Sequence, residues 1–281
     1  MSKVFVLAET EQAARELCAG ARTFGDTVVL ANVGVPAVLG VADKVLHIDV
    51  PADNVVDDAY VALNRAFDAE EAQAVLAEPT VHVLSLVGRL AAHVGAAAIT
   101  GATSFADDVA SSMYFGGTGT RAARPTSEVK VYTVAPGTFD AAEARGTDAV
   151  EEVAFEAPVR AVKRIAFESR EASSVDLGAA DAVVACGRGF QSHDDLQLAY
   201  DLAAKLGAEV GCSRPLAEGE GWFPREAYIG VSGQMQHMVG CTGAGIVVAV
   251  NKDKNAPVFD QCDYGIAGDI KTVLPVLTAA L

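Results

Sequence analysis

The chain has 281 residues, 51% of them apolar and 21% charged, so it can bury a substantial core, exceeds one average domain and does not have the composition of a disordered protein. Its 37 acidic residues against 21 basic ones give a formal charge of −16. With no run of basic residues, that sets nucleic acid and anionic membrane surfaces aside as partners and leaves the acidic surface a solubility device.

The opening stretch from Met1 to Ala8 is a short apolar run broken by Glu9, without the length or flanks of a signal peptide, and reads as a first strand. No apolar stretch reaches the ~20 residues of a bilayer span, so a cytoplasmic protein without membrane insertion is expected. Strand-like Val4–Ala8, helix-like Glu11–Phe24 and strand-like Thr27–Ala31 begin an alternation that signals βαβ units and a mainly parallel sheet. Helix-period segments at Val55–Leu76 and Leu86–His93, with strand-like runs at Val81–Leu84 and Ala96–Ile99, extend it to about residue 110. Between Ala110 and Val162 the helix signal fades. Short strands are expected there at Ser112–Phe115, Val129–Val134 and Val150–Phe155, bounded by glycine and proline, as an antiparallel hairpin appendage. The charged, serine-rich Glu168–Val175 reads as a linker. The expected architecture is α/β in two domains, 1–170 and 171–281, each with a mainly parallel sheet flanked by helices.

Cys18, Cys186, Cys212, Cys241 and Cys262 are odd in number, scattered and never in Cys-x-x-Cys spacing, which argues against disulfides and zinc and for small buried residues. No serine lies in a Gly-x-Ser-x-Gly elbow and no histidine pair has metal-binding spacing, so a hydrolase is disfavoured.

Four places in the C-terminal half carry candidate chemistry. After the strand Asp181–Cys186, Gly187-Arg188-Gly189 leads to Ser192 and Asp195, a capping box at a helix start, where backbone N–H groups can approach a phosphate. A tight connection with a solvated arginine is an equally good local account. The helix Leu196–Leu206 stops at Gly207, and the next strand, Ala208–Gly211, ends in Cys212-Ser213-Arg214, at the carboxyl end that faces the ligand crevice of an open α/β sheet. Tyr228 to Gly240 reads as strand, Gly-Val-Ser232-Gly233, then a helix from about Gln234 that carries Gln236 and His237; a lone helical histidine is more often structural than catalytic. The apolar strand Gly245–Val250 ends in Asn251-Lys252-Asp253, and Asp263-Tyr264-Gly265 follows. Several polar strand ends in one short domain favour a shared nucleotide crevice over unconnected turns.

In this order, Gly187-Arg188-Gly189, Ser213-Arg214-Pro215, Ser232 to His237, Asn251-Lys252-Asp253 and Asp263-Tyr264-Gly265 resemble the α subunit of electron-transfer flavoproteins, in the bacterial branch linked to carnitine and nitrogen-fixation metabolism. The likeness is strong over about residues 180–281; before that it rests on the alternating pattern and on Ala42-Asp43-Lys44-Val45. It implies a Rossmann-like C-terminal domain holding FAD through Arg188, Ser213, Arg214, Ser232, Gly233, Gln234, Gln236, His237, Asn251, Lys252, Asp253 and Asp263. Arg214 would lie near the isoalloxazine, His237 near its pyrimidine edge and Ser232 beside N5. It also implies a β-subunit partner in a heterodimer, and passage of single electrons from a dehydrogenase to a quinone- or ferredoxin-linked acceptor. The chain would then be an electron carrier rather than an enzyme, one that could take part in flavin-based electron bifurcation. One departure stands out: the family has two Gly-x-Ser/Thr-Gly elements with a buried strand between them, whereas here Tyr228-Ile-Gly-Val-Ser-Gly runs straight into Gln234-Met-Gln-His, one strand short. The competing readings are a two-domain module binding NAD or AMP without redox activity, and a flavin-free structural subunit.

Overall fold

The computed structural model describes residues 2–33, 38–115, 119–166, 177, 180–229 and 246–281. The chain is α/β and divides into two compact units, Met1–Phe167 and Glu168–Leu281.

In the N-terminal unit, β1 (Lys3–Ala8) lies between β2 (Thr27–Asn32) and β4 (Ala74–Ala77), parallel to both. β3 (Lys44–His47) continues beyond β2, and β8 (Lys130–Val134) beyond β4. Alternate residues of these strands feed two cores. Phe5, Leu7, Val29, Leu46 and Val75 meet Leu63 and Phe67 of α2 (Tyr60–Glu70) and Leu86 and Leu90 of α3 (Val81–His93). Val4, Val6, Leu30, Val45 and Leu76 meet Leu17 and Cys18 of α1 (Glu11–Ala21) on the other face. This is the period-two division of a sheet covered on both sides.

Three expectations are corrected. Val81–Leu84 is the first turn of α3, not a strand, because the Thr80 hydroxyl accepts from the Val83 N–H and caps it; a short apolar run does not distinguish the two by period. Val55–Leu76 is not one helix: a 3₁₀ turn at Val56–Ala59 precedes α2, left-handed Glu71 (φ 53°) closes it, and β4 begins at Ala74. In the middle segment β6 (Val109–Tyr114) and β7 (Gly119–Ala123) extend β5 (Ala98–Ala106) into an antiparallel meander, but the later strands do not join it. β8 is a parallel strand inside the sheet, and β9 (Ala149–Glu152) returns to the far edge parallel to β3.

In the C-terminal unit, β10 (Val183–Cys186) and β11 (Glu209–Cys212) are parallel, joined by α4 (Gln197–Leu206). A parallel bridge from Cys212 to Tyr228 continues on the outer side of β11. β12 (Val248–Asn251) and β13 (Tyr264–Ala267) form a second parallel pair, followed by α5 (Ile270–Ala280). Cys186, Phe190, Leu196 and Leu202 pack with Ile270 and Leu274 of α5 in one core. The helix expected from about Gln234 lies outside the described residues.

Candidate functional site

Register fixes the first half of the site. Cys186 lies opposite Cys212, so the turn after β10 and the turn after β11 leave the same end of the sheet, bringing Arg188, Ser213 and Arg214 to one side. The Ser213 N–H donates to the Cys186 carbonyl at 2.8 Å and ties the two turns together. A Cβ at Gly211 would come 2.3 Å from the Ile229 side chain, which lies against the strand, so any side chain there would have to displace that isoleucine. The Ser192–Asp195 capping box forms, the Asp195 carboxylate accepting from the Ser192 N–H at 3.1 Å and the Gln191 N–H at 3.2 Å.

Side chains here differ in how far they are committed. Arg188 is exposed, and Arg214, also exposed, is held by Glu218 one helical turn on, Nε to carboxylate 2.6 Å. Ser213 Oγ is buried and makes no hydrogen bond, a hydroxyl in want of a partner. Burial pushes the Cys186 thiol up to about 12, helped by Cys212, and the Cys212 thiol up to about 11, so both stay protonated and inert at neutral pH.

The other half lies at the carboxyl end of β12. Asn251 Oδ1 accepts from the Asp253 N–H and Asp253 Oδ1 from the Asn255 N–H, each at 2.9 Å, which folds the loop on itself. Lys252 reaches Asp269 at 2.8 Å. Asp269 caps α5 at the carboxyl end of β13, and the Lys252 ammonium together with the Lys271 N–H lowers its carboxyl below the usual range. The two halves meet at the head of α5: Lys271 pairs with Asp195 at 3.0 Å, and Ile270 lies beside Gly189.

Asp263 is placed differently. It precedes β13, and its carboxylate accepts from the Val247 N–H at 2.7 Å, at the amino end of the strand pair and away from Asn251. Asp269, which sequence reasoning passed over, occupies the end where a crevice forms. Its signal was an Asp just after a strand and before the apolar Ile270–Ala280 run, the mark of a helix cap. Ser232, Gly233, Gln234, Gln236 and His237 lie outside the described residues.

The corresponding place in the N-terminal unit is filled. Where winding reverses between β1 and β4, Glu78 accepts from the Glu9 N–H at 2.7 Å, the Thr10 N–H at 3.0 Å and the Thr10 hydroxyl at 2.8 Å. A carboxylate of the chain thus takes the N–H groups that a phosphate would use. Among the described residues no cluster of His, Cys, Asp and Glu could hold a metal, and no helix is long and apolar enough to cross a membrane.

Residues 4–159 match the model of the electron transfer flavoprotein domain, and residues 176–250 that of the electron transfer flavoprotein FAD-binding domain. Protein FixB of Salmonella typhimurium (strain LT2) is 37% identical over 307 aligned positions, covering 100% of this chain and 98% of the relative. Protein FixB of Escherichia coli (strain SE11) is 35% identical with the same coverage.

The chain belongs to the electron-transfer flavoprotein family, as an α subunit of the FixB type.

Its cofactor as a family member is FAD, and a module binding NAD or AMP without a redox role is not favoured. The described residues suit that cofactor: Ser213 offers an unused hydroxyl, Arg188 and Arg214 offer cations at the same strand ends, and Asn251 to Asp253 with Asp269 offer polar groups for a ribose or base. The 307 aligned positions exceed the 281 residues of the chain by 26, so at least that many lie opposite gaps in this electron-transfer flavoprotein subunit.

Proposed function

We propose that this α subunit pairs with an electron-transfer flavoprotein β subunit in the cytoplasm and passes single electrons from a dehydrogenase to a quinone- or ferredoxin-linked acceptor. The observation that carries the cofactor site is the unpartnered Ser213 Oγ, buried beside two arginines at the carboxyl ends of β10 and β11.

FAD, when bound, supplies the one-electron chemistry; the residues hold and tune it. Arg188 and Ser213 would bind polar atoms of the cofactor, while Arg214 would set positive potential by the ring system, which favours added negative charge there. Asn251, Lys252 and Asp253 would line the opposite side with Asp269 in the place first expected for Asp263, whose carboxylate instead anchors the start of β12. Ser232, Gly233, Gln234, Gln236 and His237 complete the proposed set in the stretch between residues 171 and 281 taken as the FAD-binding domain.

Co-expression with the β subunit should give a yellow heterodimer that takes up electrons from dithionite in two separable stages. A colourless heterodimer that stays flavin-free after incubation with FAD would refute the assignment.

A further inference from the structure

The connection from β10 to α4 carries Arg188 between Gly187 and Gly189, residues whose backbones are freer than any other. Where Arg188 stands therefore depends on what holds the two ends of the connection. One end is tied to β11 by the hydrogen bond from the Ser213 N–H to the Cys186 carbonyl. The other end rests on the head of α5. Phe190 is buried in the same core as Ile270, and Gly189 lies beside the Ile270 side chain. Asp195 draws in the N–H groups of Gln191 and Ser192 with one carboxylate oxygen and meets the Lys271 ammonium with the other, at 3.0 Å.

Lys271 also works in the opposite direction. Its N–H donates to Asp269 Oδ1 at 2.9 Å, and Asp269 Oδ2 takes the Lys252 ammonium at 2.8 Å. Charges thus alternate through Lys252, Asp269, Lys271 and Asp195, from the loop after β12 to the connection after β10. Lys252 and Asp269 are among the groups expected at the cofactor, whereas Lys271 and Asp195 stand one step behind it.

Helix formation does not account for Lys271. It lies in the first turn of α5, just after the Asp269 cap, where the positive end of the helix dipole disfavours a cation. Its partner Asp195 retains 13% of its side-chain accessibility, so the pair is not a freely solvated one. Nor is the pair needed to dock α5, because Ile270 and Leu274 are buried in one core with Leu196 and Leu202 of the facing segment.

We propose that Lys271 and Asp195 are a positioning pair that ties the Arg188 connection to the end of β12 and thereby sets how tightly this subunit holds FAD. This rests on the assignment of FAD to the C-terminal unit. Neither residue contacts the cofactor; the pair fixes the spacing of the groups that do.

The test is FAD titration of the deflavinated heterodimer. Lys271→Met keeps the apolar stem and removes the charge, while Asp195→Asn keeps an oxygen for the Gln191 and Ser192 N–H groups. Each should weaken FAD binding about three- to fivefold. The doubly substituted protein should bind within about twofold of the weaker single variant, since both changes break one link, and Lys271→Arg should bind within about twofold of the unaltered protein. The Asp195 variant separates positioning from simple charge. FAD carries an anionic pyrophosphate, so removing a carboxylate would tighten binding if the pair acted through its field alone, whereas a positioning pair loses affinity with either partner. Unchanged or tighter binding in Asp195→Asn, single effects that multiply in the double variant, or Lys271→Arg as weak as Lys271→Met would each overturn the inference and leave the FAD assignment standing. An unaltered heterodimer that takes up no FAD would overturn that assignment, and the inference with it.

Discussion

Asp148 gathers the backbone N–H groups of Leu39, Gly40, Val41 and Ala42 onto one buried carboxylate. Burial works against its ionisation, but the four N–H groups outweigh it and lower its pKa below the ordinary 3.8. A carboxyl lowered in the native state stabilises fully above its unfolded value, and that contribution is lost as the pH falls through the native one. Asp148→Asn should therefore cost about 2–3 kcal/mol in urea unfolding at pH 7, and the gap to the unaltered protein should narrow under acid conditions. Ser213 makes the opposite case, since its hydroxyl has no partner among the described residues. Ser213→Ala should weaken FAD binding about five- to tenfold, near 1 kcal/mol, yet leave the flavin-free protein as stable or slightly more so. Arg214→Ala should lower the flavin midpoint potential by tens of millivolts, because a cation favouring the reduced state is removed; an unchanged potential would take Arg214 out of that role. Arg188, Ser213 and Arg214 were legible in the sequence because apolar strands ran straight into glycine and polar turns. Asp263 and Asp269 were not told apart, since the choice depends on knowing where β13 starts, and that strand is only four residues long.

At the level of elements, the β1–α1 connection depends on a residue from the far side of the sheet's winding. Glu78, just after β4, satisfies the Glu9 and Thr10 N–H groups in the turn that leads into α1. Glu78→Ala would leave these partly buried groups without this acceptor, and thermal or urea unfolding should show a loss of about 1–2 kcal/mol, while Glu78→Gln, which keeps one acceptor oxygen, should lose less. No local pattern announces this contact, because 69 residues separate Glu9 from Glu78. By contrast, β1, α1, β2 and α4 follow from period and caps alone. The errors fell on Val81–Leu84, where a threonine cap decides between strand and helix, on Val55–Leu76, which left-handed Glu71 ends before β4, and on β8 and β9, whose parallel pairings are long-range choices that composition does not carry. In the C-terminal unit β10, β11 and β12 were legible as apolar runs, whereas β13, a four-residue strand that contains a glycine, was not expected as a strand.

For the whole molecule, the described residues of the N-terminal unit pack about a nine-stranded sheet, and those of the C-terminal unit form a core of their own with two short parallel pairs. Calorimetry should show two transitions, with added FAD raising only the one that belongs to the C-terminal unit. A ligand at 100 times its dissociation constant contributes about 2.7 kcal/mol to the state that binds it, enough for a visible shift. A uniform shift of both transitions would mean that the units unfold as one. The late return of β9 also bears on how the protein is made. Leu39, just ahead of β3, and Asp148, just ahead of β9, are 109 residues apart. At about 5–20 residues per second, a ribosome takes on the order of 5–20 seconds to travel that distance. During that interval the outer edge of β3 is bare while the sheet beside it assembles, and it is covered only when the four residues of β9, the last of the N-terminal sheet to emerge, pair with it and become the edge in its place.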